Sequence, residues 1–239
     1  MIQRHILVFF ISLLVSSFSF AQLAQDSITQ KATDSIQPKT EKHGLRIGVD
    51  LSKPIISFID EDSKGLEILA DYRIYKNYYI AAEFGTVDKT TDEDYMNFTT
   101  KGSFFKIGAN INLYKNWKGM SNEIFLGVRY GFSFFDQTIN SYTPNIEGTY
   151  FEELEKTPDS EFNDLTASWF EFMVGLKVET YNNLYLGASL SINKMINTKE
   201  PDNFQNLFVP GFNNVSLNNI GVSFNYSISY LIPNVKKSK

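Results

Sequence analysis

From Leu45 onward, hydrophobic residues of this chain fall on alternate positions through most of its length. In the last such segment Ile220, Val222, Phe224, Tyr226, Ile228 and Tyr230 alternate with Asn219, Gly221, Ser223, Asn225, Ser227 and Ser229. A period of two is the repeat of an extended strand, whose successive side chains point to opposite faces. The same rule sets Ile124, Leu126, Val128, Tyr130, Phe132 and Phe134 against Glu123, Gly127, Arg129, Gly131 and Ser133, with Phe125 an exception. It sets Phe170, Phe172, Val174, Leu176 and Val178 against Glu171, Gly175, Lys177 and Glu179. Leu184, Leu186, Ala188, Leu190 and Ile192 stand likewise against Gly187, Ser189, Ser191 and Asn193. Four further segments, over 45–58, 65–75, 78–87 and 100–114, complete a set of eight predicted strands in an all-β fold. Pro54 is expected at a bulge or near the upper end of the first strand, because it cannot donate to a ladder.

The connections alternate in length. Strands two and three meet at Tyr75-Lys76-Asn77, and strands six and seven at Tyr181-Asn182-Asn183. Ile74 and Tyr78 must share a face, as must Thr180 and Leu184, so each loop is odd. A three-residue loop whose last residue is left-handed satisfies this, and Asn tolerates that conformation. Tyr114-Lys115-Asn116 opens a somewhat longer turn of the same kind. The remaining connections, over 59–64, 88–99, 136–166 and 198–217, are longer. Short turns on one rim and long loops on the other predict a closed antiparallel up-and-down eight-stranded transmembrane β-barrel.

Alternation alone also fits a soluble barrel. The polar face distinguishes the two, for it is mostly Gly, Ser and Asn with isolated charges of both signs. Small residues suit the interior of a narrow ring. The apolar face draws on 21 Phe and 13 Tyr, which suits lipid contact. The inward charges are Arg46, Asp50, Glu67, Asp71, Arg73, Glu83, Lys106, Glu123, Arg129, Glu171, Lys177 and Glu179. Counting from the short-turn rim puts Asp50, Asp71, Glu83, Arg129 and Lys177 at similar depth, near mid-barrel. Buried charges must be paired, so a salt-bridged plug is expected, with a charge-lined channel or a proton or solute pathway as the competing reading. Tyr72, Tyr78, Trp117 and Tyr230 fall near the short-turn rim, where amphipathic rings favour the interface. Most acidic residues fall in the long loops: Asp60 to Asp62, Asp92 to Asp94, Glu147, Glu152, Glu153, Glu155, Asp159, Glu161 and Asp164. Lys76, Lys115, Lys118, Lys236, Lys237 and Lys239 make the other end basic.

Residues 1–21 read as a signal peptide. Arg4 and His5 precede an apolar run from Ile6 to Val15, and Ser19-Phe20-Ala21 offers a cleavage site before Gln22. The apolar run falls short of the ~20 residues of a spanning helix. Residues 22–43 lack periodicity and are expected to form a flexible periplasmic leader, followed by the barrel over 44–232 and a basic tail over 233–239. With no cysteine, disulfides, thiolate metal sites and an N-terminal lipidated Cys are excluded. The two histidines, His5 and His43, lie outside the strands, so neither a Ser-His triad nor a His-based zinc site can be built. Asp60-Glu61-Asp62-Ser63-Lys64-Gly65 starts like a calcium loop but lacks its distal Glu. Glu171 and Glu179 lie roughly 26 Å apart along one strand, too far to share a substrate. No cofactor or catalytic residue is therefore assigned, and a net charge of −5 argues against nucleic acid as a partner.

Asn219-x-Gly221-x-x-Phe224-x-Tyr226 resembles the terminal-strand signal by which small outer-membrane barrels are recognised for insertion. Over residues 45–231 the chain resembles those families, of the architecture of OmpX or the OmpA transmembrane domain, although thirteen residues follow the signal here. The resemblance implies a Gram-negative outer membrane, outer-membrane lipid and lipopolysaccharide as surroundings, and barrel-insertion machinery as a partner. The expected function is non-enzymatic: an envelope-structural or surface-contact barrel with acidic extracellular loops that meet an unidentified protein partner. A narrow channel for ions or small solutes, and a soluble periplasmic lipocalin-like barrel, are the alternatives.

Overall fold

The computed structural model describes residues 42–116, 120–143, 160–200, 206–215 and 218–233, all within the unit Lys39–Lys239. Where apolar and small residues alternate, the chain forms long strands: β1 (Gly44–Asp50), β2 (Ser63–Tyr75), β3 (Tyr78–Glu93), β4 (Met96–Asn112), β5 (Glu123–Tyr142), β6 (Ser160–Tyr181) and β7 (Leu184–Thr198). A two-strand hairpin, β8 (Phe208–Val209) and β9 (Asn213–Asn214), precedes the last long strand, β10 (Ile220–Pro233). Each long strand pairs with its neighbours in sequence, and β10 returns to pair with β1, from Gly44 opposite Pro233 to Asp50 opposite Ser227. The result is a closed antiparallel ring of eight strands. No helix among the described residues is long and apolar enough to cross a membrane. The proposed signal peptide, most of the leader, Trp117, Lys118, the acidic residues from Glu147 to Asp159 and the Lys residues of the tail lie outside the described residues.

Orientation follows the pleat. Ile124, Leu126, Val128, Tyr130 and Phe134 face out from β5, while Glu123, Phe125, Gly127, Arg129 and Ser133 face in. The same holds around the ring, from Leu45 and Ile47 to Tyr230 and Ile232. A soluble binding barrel turns its apolar set inward; this one turns it outward.

Two expectations about the elements require correction. The first strand stops at Asp50, and Ser52–Ile59 forms a helix, α1. Adjacent pairs Ile55-Ile56 and Phe58-Ile59 break the strand alternation and instead gather on one helical side at spacings of three and four. Pro54 occupies the first helical turn, where its missing N–H has no intrahelical partner to lose. The second correction concerns 88–99 and 136–166, expected to be loops. Pairing continues to Glu93 opposite Met96 and to Ile139 opposite Ser160. Above Phe134 the outward positions are Asp136, Thr138 and Asn140, so alternation of polarity ends while the hydrogen-bond ladder goes on. At 20 and 22 residues, β5 and β6 are about twice the length of a tilted spanning strand.

At the short turns the odd residue is absorbed as a bulge, between Arg73 and Tyr75 and between Glu179 and Tyr181. Asn183 is left-handed as expected (φ 64°), whereas in the first turn that conformation falls on Lys76 (φ 37°) rather than Asn77.

Inward glycines let large rings fit. A Cβ on Gly131 would stand 2.2 Å from the indole of Trp169. Gly131→Val is therefore expected to overpack the lumen and lower stability by about 1–3 kcal/mol. Urea unfolding in lipid vesicles, followed by tryptophan fluorescence, checks this.

Candidate functional site

An inward charge in so narrow a ring needs a partner, and most of those described find one in two layers. Arg46 on β1 donates through Nη2 to Asp71 on β2 (2.7 Å) and to Glu123 on β5 (2.9 Å). Since β5 lies diametrically opposite β1 in the ring, this contact crosses the whole lumen. Lys177 on β6 donates to the other oxygen of Asp71 at 2.5 Å, and the Arg46 guanidinium lies 4.8 Å from the Tyr185 ring centre. A second layer centres on Lys106 of β4, whose ammonium lies 3.3 Å from Glu171, 3.4 Å from Glu83 and 3.5 Å from Glu67. Arg129 closes it, donating to Glu83 (2.9 Å) and to Asn110 Oδ1 (2.8 Å). Lys53, brought in by α1, stands 3.5 Å from Glu67.

The sequence-assigned charges thus separate into levels. Asp71 and Lys177 meet Arg46, Glu83 and Arg129 meet Lys106, and Asp50 joins neither pair set. Asp50 instead accepts from the backbone N–H and hydroxyl of Ser52, both at 2.7 Å. Strand stagger explains why a count from the rim placed them together. Arg73 and Glu179 lie at the short-turn rim, where Arg73 donates to the Lys76 carbonyl and Glu179 accepts from Lys42 at 2.5 Å. Of the residues assigned to insertion, Asn219 precedes β10 in a left-handed conformation, Gly221 faces inward against Phe212, and Phe224 and Tyr226 face out.

The other end of the lumen is apolar, which the sequence reading missed. The β8–β9 hairpin folds back into the ring and buries Phe208, Val209 and Phe212 among Phe98, Phe104, Phe135, Leu165, Trp169 and Met195. Gly211 sits at its tip with φ +83°, and a Cβ there would meet the Phe104 ring at 2.6 Å, so glycine suits the position on both counts. The Trp169 ring packs edge-on to Phe212 and its Nε1 donates to Glu171 at 2.7 Å, joining the apolar cap to the second charge layer. The signal for this cluster is present as aromatic doublets. Phe104-Phe105, Phe134-Phe135 and Trp169-Phe170 must each send one ring inward, and Phe135 is 3% exposed against 63% for Phe134.

Beside the two charge layers and the hairpin lies a cavity of about 70 Å³. Its β2–β6 side carries Glu67, Glu83, Lys106, Arg129 and Glu171, and its β7–β10 side carries Ser189, Ser191, Ser223 and Ser227. Among the described residues no group of His, Asp or Glu side chains is arranged to hold a metal ion.

Ring, belt and filled lumen together define the architecture of the small eight-stranded outer-membrane barrels. The chain belongs to the family described as a domain of unknown function (DUF6048), whose model matches residues 6–237. No curated protein sequence matches it. Solved structures similar to it include the following two. Neisserial surface protein A (NspA) is 11% identical with a TM-score of 0.43, over 79% of this chain and 94% of that one. Ail, the attachment invasion locus protein of Yersinia pestis, is 10% identical with a TM-score of 0.36, over 80% and 98%.

Breaking a buried network leaves charges without partners. Lys106→Met is expected to cost about 3–5 kcal/mol, whereas Lys101→Ala, which removes a solvent-exposed pair with Asp88, should cost under about 1 kcal/mol. Paired urea titrations of the two variants in vesicles check the contrast.

Proposed function

We propose that this protein is a sealed, non-enzymatic barrel of the Gram-negative outer membrane, exported by its signal peptide, that holds acidic loops at the cell surface. Its role is structural within the envelope or one of contact with an extracellular partner. The observation that carries the reading is the belt of exposed Leu, Ile, Val, Phe and Tyr side chains on all eight long strands, enclosing a lumen that holds the charges. Exposed apolar surface of that extent costs free energy in water and is stabilising in hydrocarbon. Outer-membrane lipid and lipopolysaccharide are then its surroundings, and the terminal strand with Asn219, Gly221, Phe224 and Tyr226 is what insertion machinery would engage.

Two salt-bridged layers and an aromatic cap argue against steady conduction, because an ion would have to displace paired charges and then cross a dry cluster. Extension of β3 to β6 above the apolar belt gives the intervening segments a stiff base, and loops on rigid scaffolds are where contact functions concentrate.

The expected outcome is recovery in the outer-membrane fraction, a gel mobility that shifts on boiling, and no steady single-channel current in planar bilayers. Recovery as a soluble periplasmic protein would defeat the proposal, and reproducible conductance steps would replace the sealed barrel with a channel.

A further inference from the structure

The ring is not uniform around its circumference. The last bond across the β1–β10 pairing is from the Leu51 N–H to the Tyr226 carbonyl, at 2.6 Å. Above it, β2 from Ser63 to Glu67 pairs with β3 alone, and β10 from Gly221 to Asn225 pairs with β7 alone. Open strand edges are not tolerated against hydrocarbon, so the gap needs a cover whose own backbone groups are satisfied. Helix α1 is that cover. Its Ile55, Ile56, Phe58 and Ile59 are exposed, Phe58 to 91%, and they continue the apolar belt between Leu66 of β2 and Phe224 of β10.

We infer that α1 is a door in the wall, and that the cavity behind it receives the ammonium head of an amphiphile whose hydrocarbon tail stays in the bilayer. This rests on the membrane-embedded reading above. Three features carry it. The first is anchorage: eight residues do not make a stable helix alone, and α1 is tied to the lumen by Lys53 to Glu67 and by Ser52 to Asp50. Every other part of the wall is held by strand ladders on both sides. The second is access, since Lys53 of α1 lines the cavity together with Asp50, Phe224 and Asn225 beside the unpaired edges. Helix α1 therefore stands between the cavity and the lipid outside it.

The third is the chemistry of the cavity. Glu171 is 1% exposed, yet its Oε2 has no hydrogen-bond donor, and Glu67 Oε1 likewise accepts no hydrogen bond, with its nearest cation 3.5 Å away. Both side chains line the cavity. Buried acceptors without donors favour a guest that brings them. Five carboxylates and four basic groups line the space, so the guest that balances it is cationic. Ser227 on the opposite wall offers an oxygen for one of its remaining N–H groups.

The absence of cysteine allows a direct test with Ser227→Cys, which places a single thiol just inside the door. The variant is reconstituted in phospholipid vesicles and treated with a maleimide carried on a twelve-carbon chain, or with a charged, water-soluble maleimide. The chain-borne reagent is expected to react several-fold faster, and Lys53→Met, which unlatches α1, should accelerate it further. Dodecylammonium should slow the reaction and dodecanoate should not. Equal or faster reaction with the water-soluble reagent, no reaction with either in both backgrounds, or equal protection by dodecanoate would overturn the inference. Flotation with vesicles and the heat-dependent gel shift are read on the same samples. A protein that does not float refutes membrane embedding itself, which is a result separate from the labelling.

Discussion

An eight-stranded ring leaves a lumen only wide enough for side chains, and that limit governs the rest of this molecule. Any residue directed inward meets residues from the far wall, so a charge cannot be hydrated at leisure and must be paired across the ring. Arg46 reaching Glu123 on the opposite strand, and Lys106 standing among three carboxylates, are the direct outcome. Ionic cross-links of this kind resist the removal of either partner far more than they stabilise the fold relative to an apolar filling. Their effect is to fix which strand faces which, and so to hold one register around the circumference.

The lumen is filled in two chemical styles. Ion pairs occupy the half near the short turns, and rings occupy the half beneath the long loops. The join is made by Trp169, whose indole packs on Phe212 while its N–H reaches Glu171. A single residue thereby ties the inserted hairpin to the charge network.

Much of this was legible before any coordinates. Period-two alternation fixed the number of long strands and their inner and outer faces, because a side chain's direction in a strand depends only on parity. The same parity assigns the inward charges, of which Arg73 and Glu179 lie at the rim. What escaped has particular causes. Helix α1 was read as strand because Leu51 to Ile59 is apolar enough to extend β1, and the doublets that mark it as helical are short. Strand ends beyond the apolar belt were read as loops, since two polar faces leave no alternation to follow. The β8–β9 hairpin was hidden because its burial depends on contacts with Phe104 and Trp169, far away in sequence. Depth within the lumen was also out of reach, for parity says nothing about stagger.

Closure between β1 and β10 has a consequence for how the molecule comes to be made. Gly44 lies opposite Pro233, so the first strand of the ring must wait for the last. Until then both carry unpaired backbone edges, the kind of surface on which unfinished chains aggregate. Long sequence separation between partners also makes folding slow. Synthesis must therefore finish, and the chain must be kept apart from its fellows, before the circle can be joined.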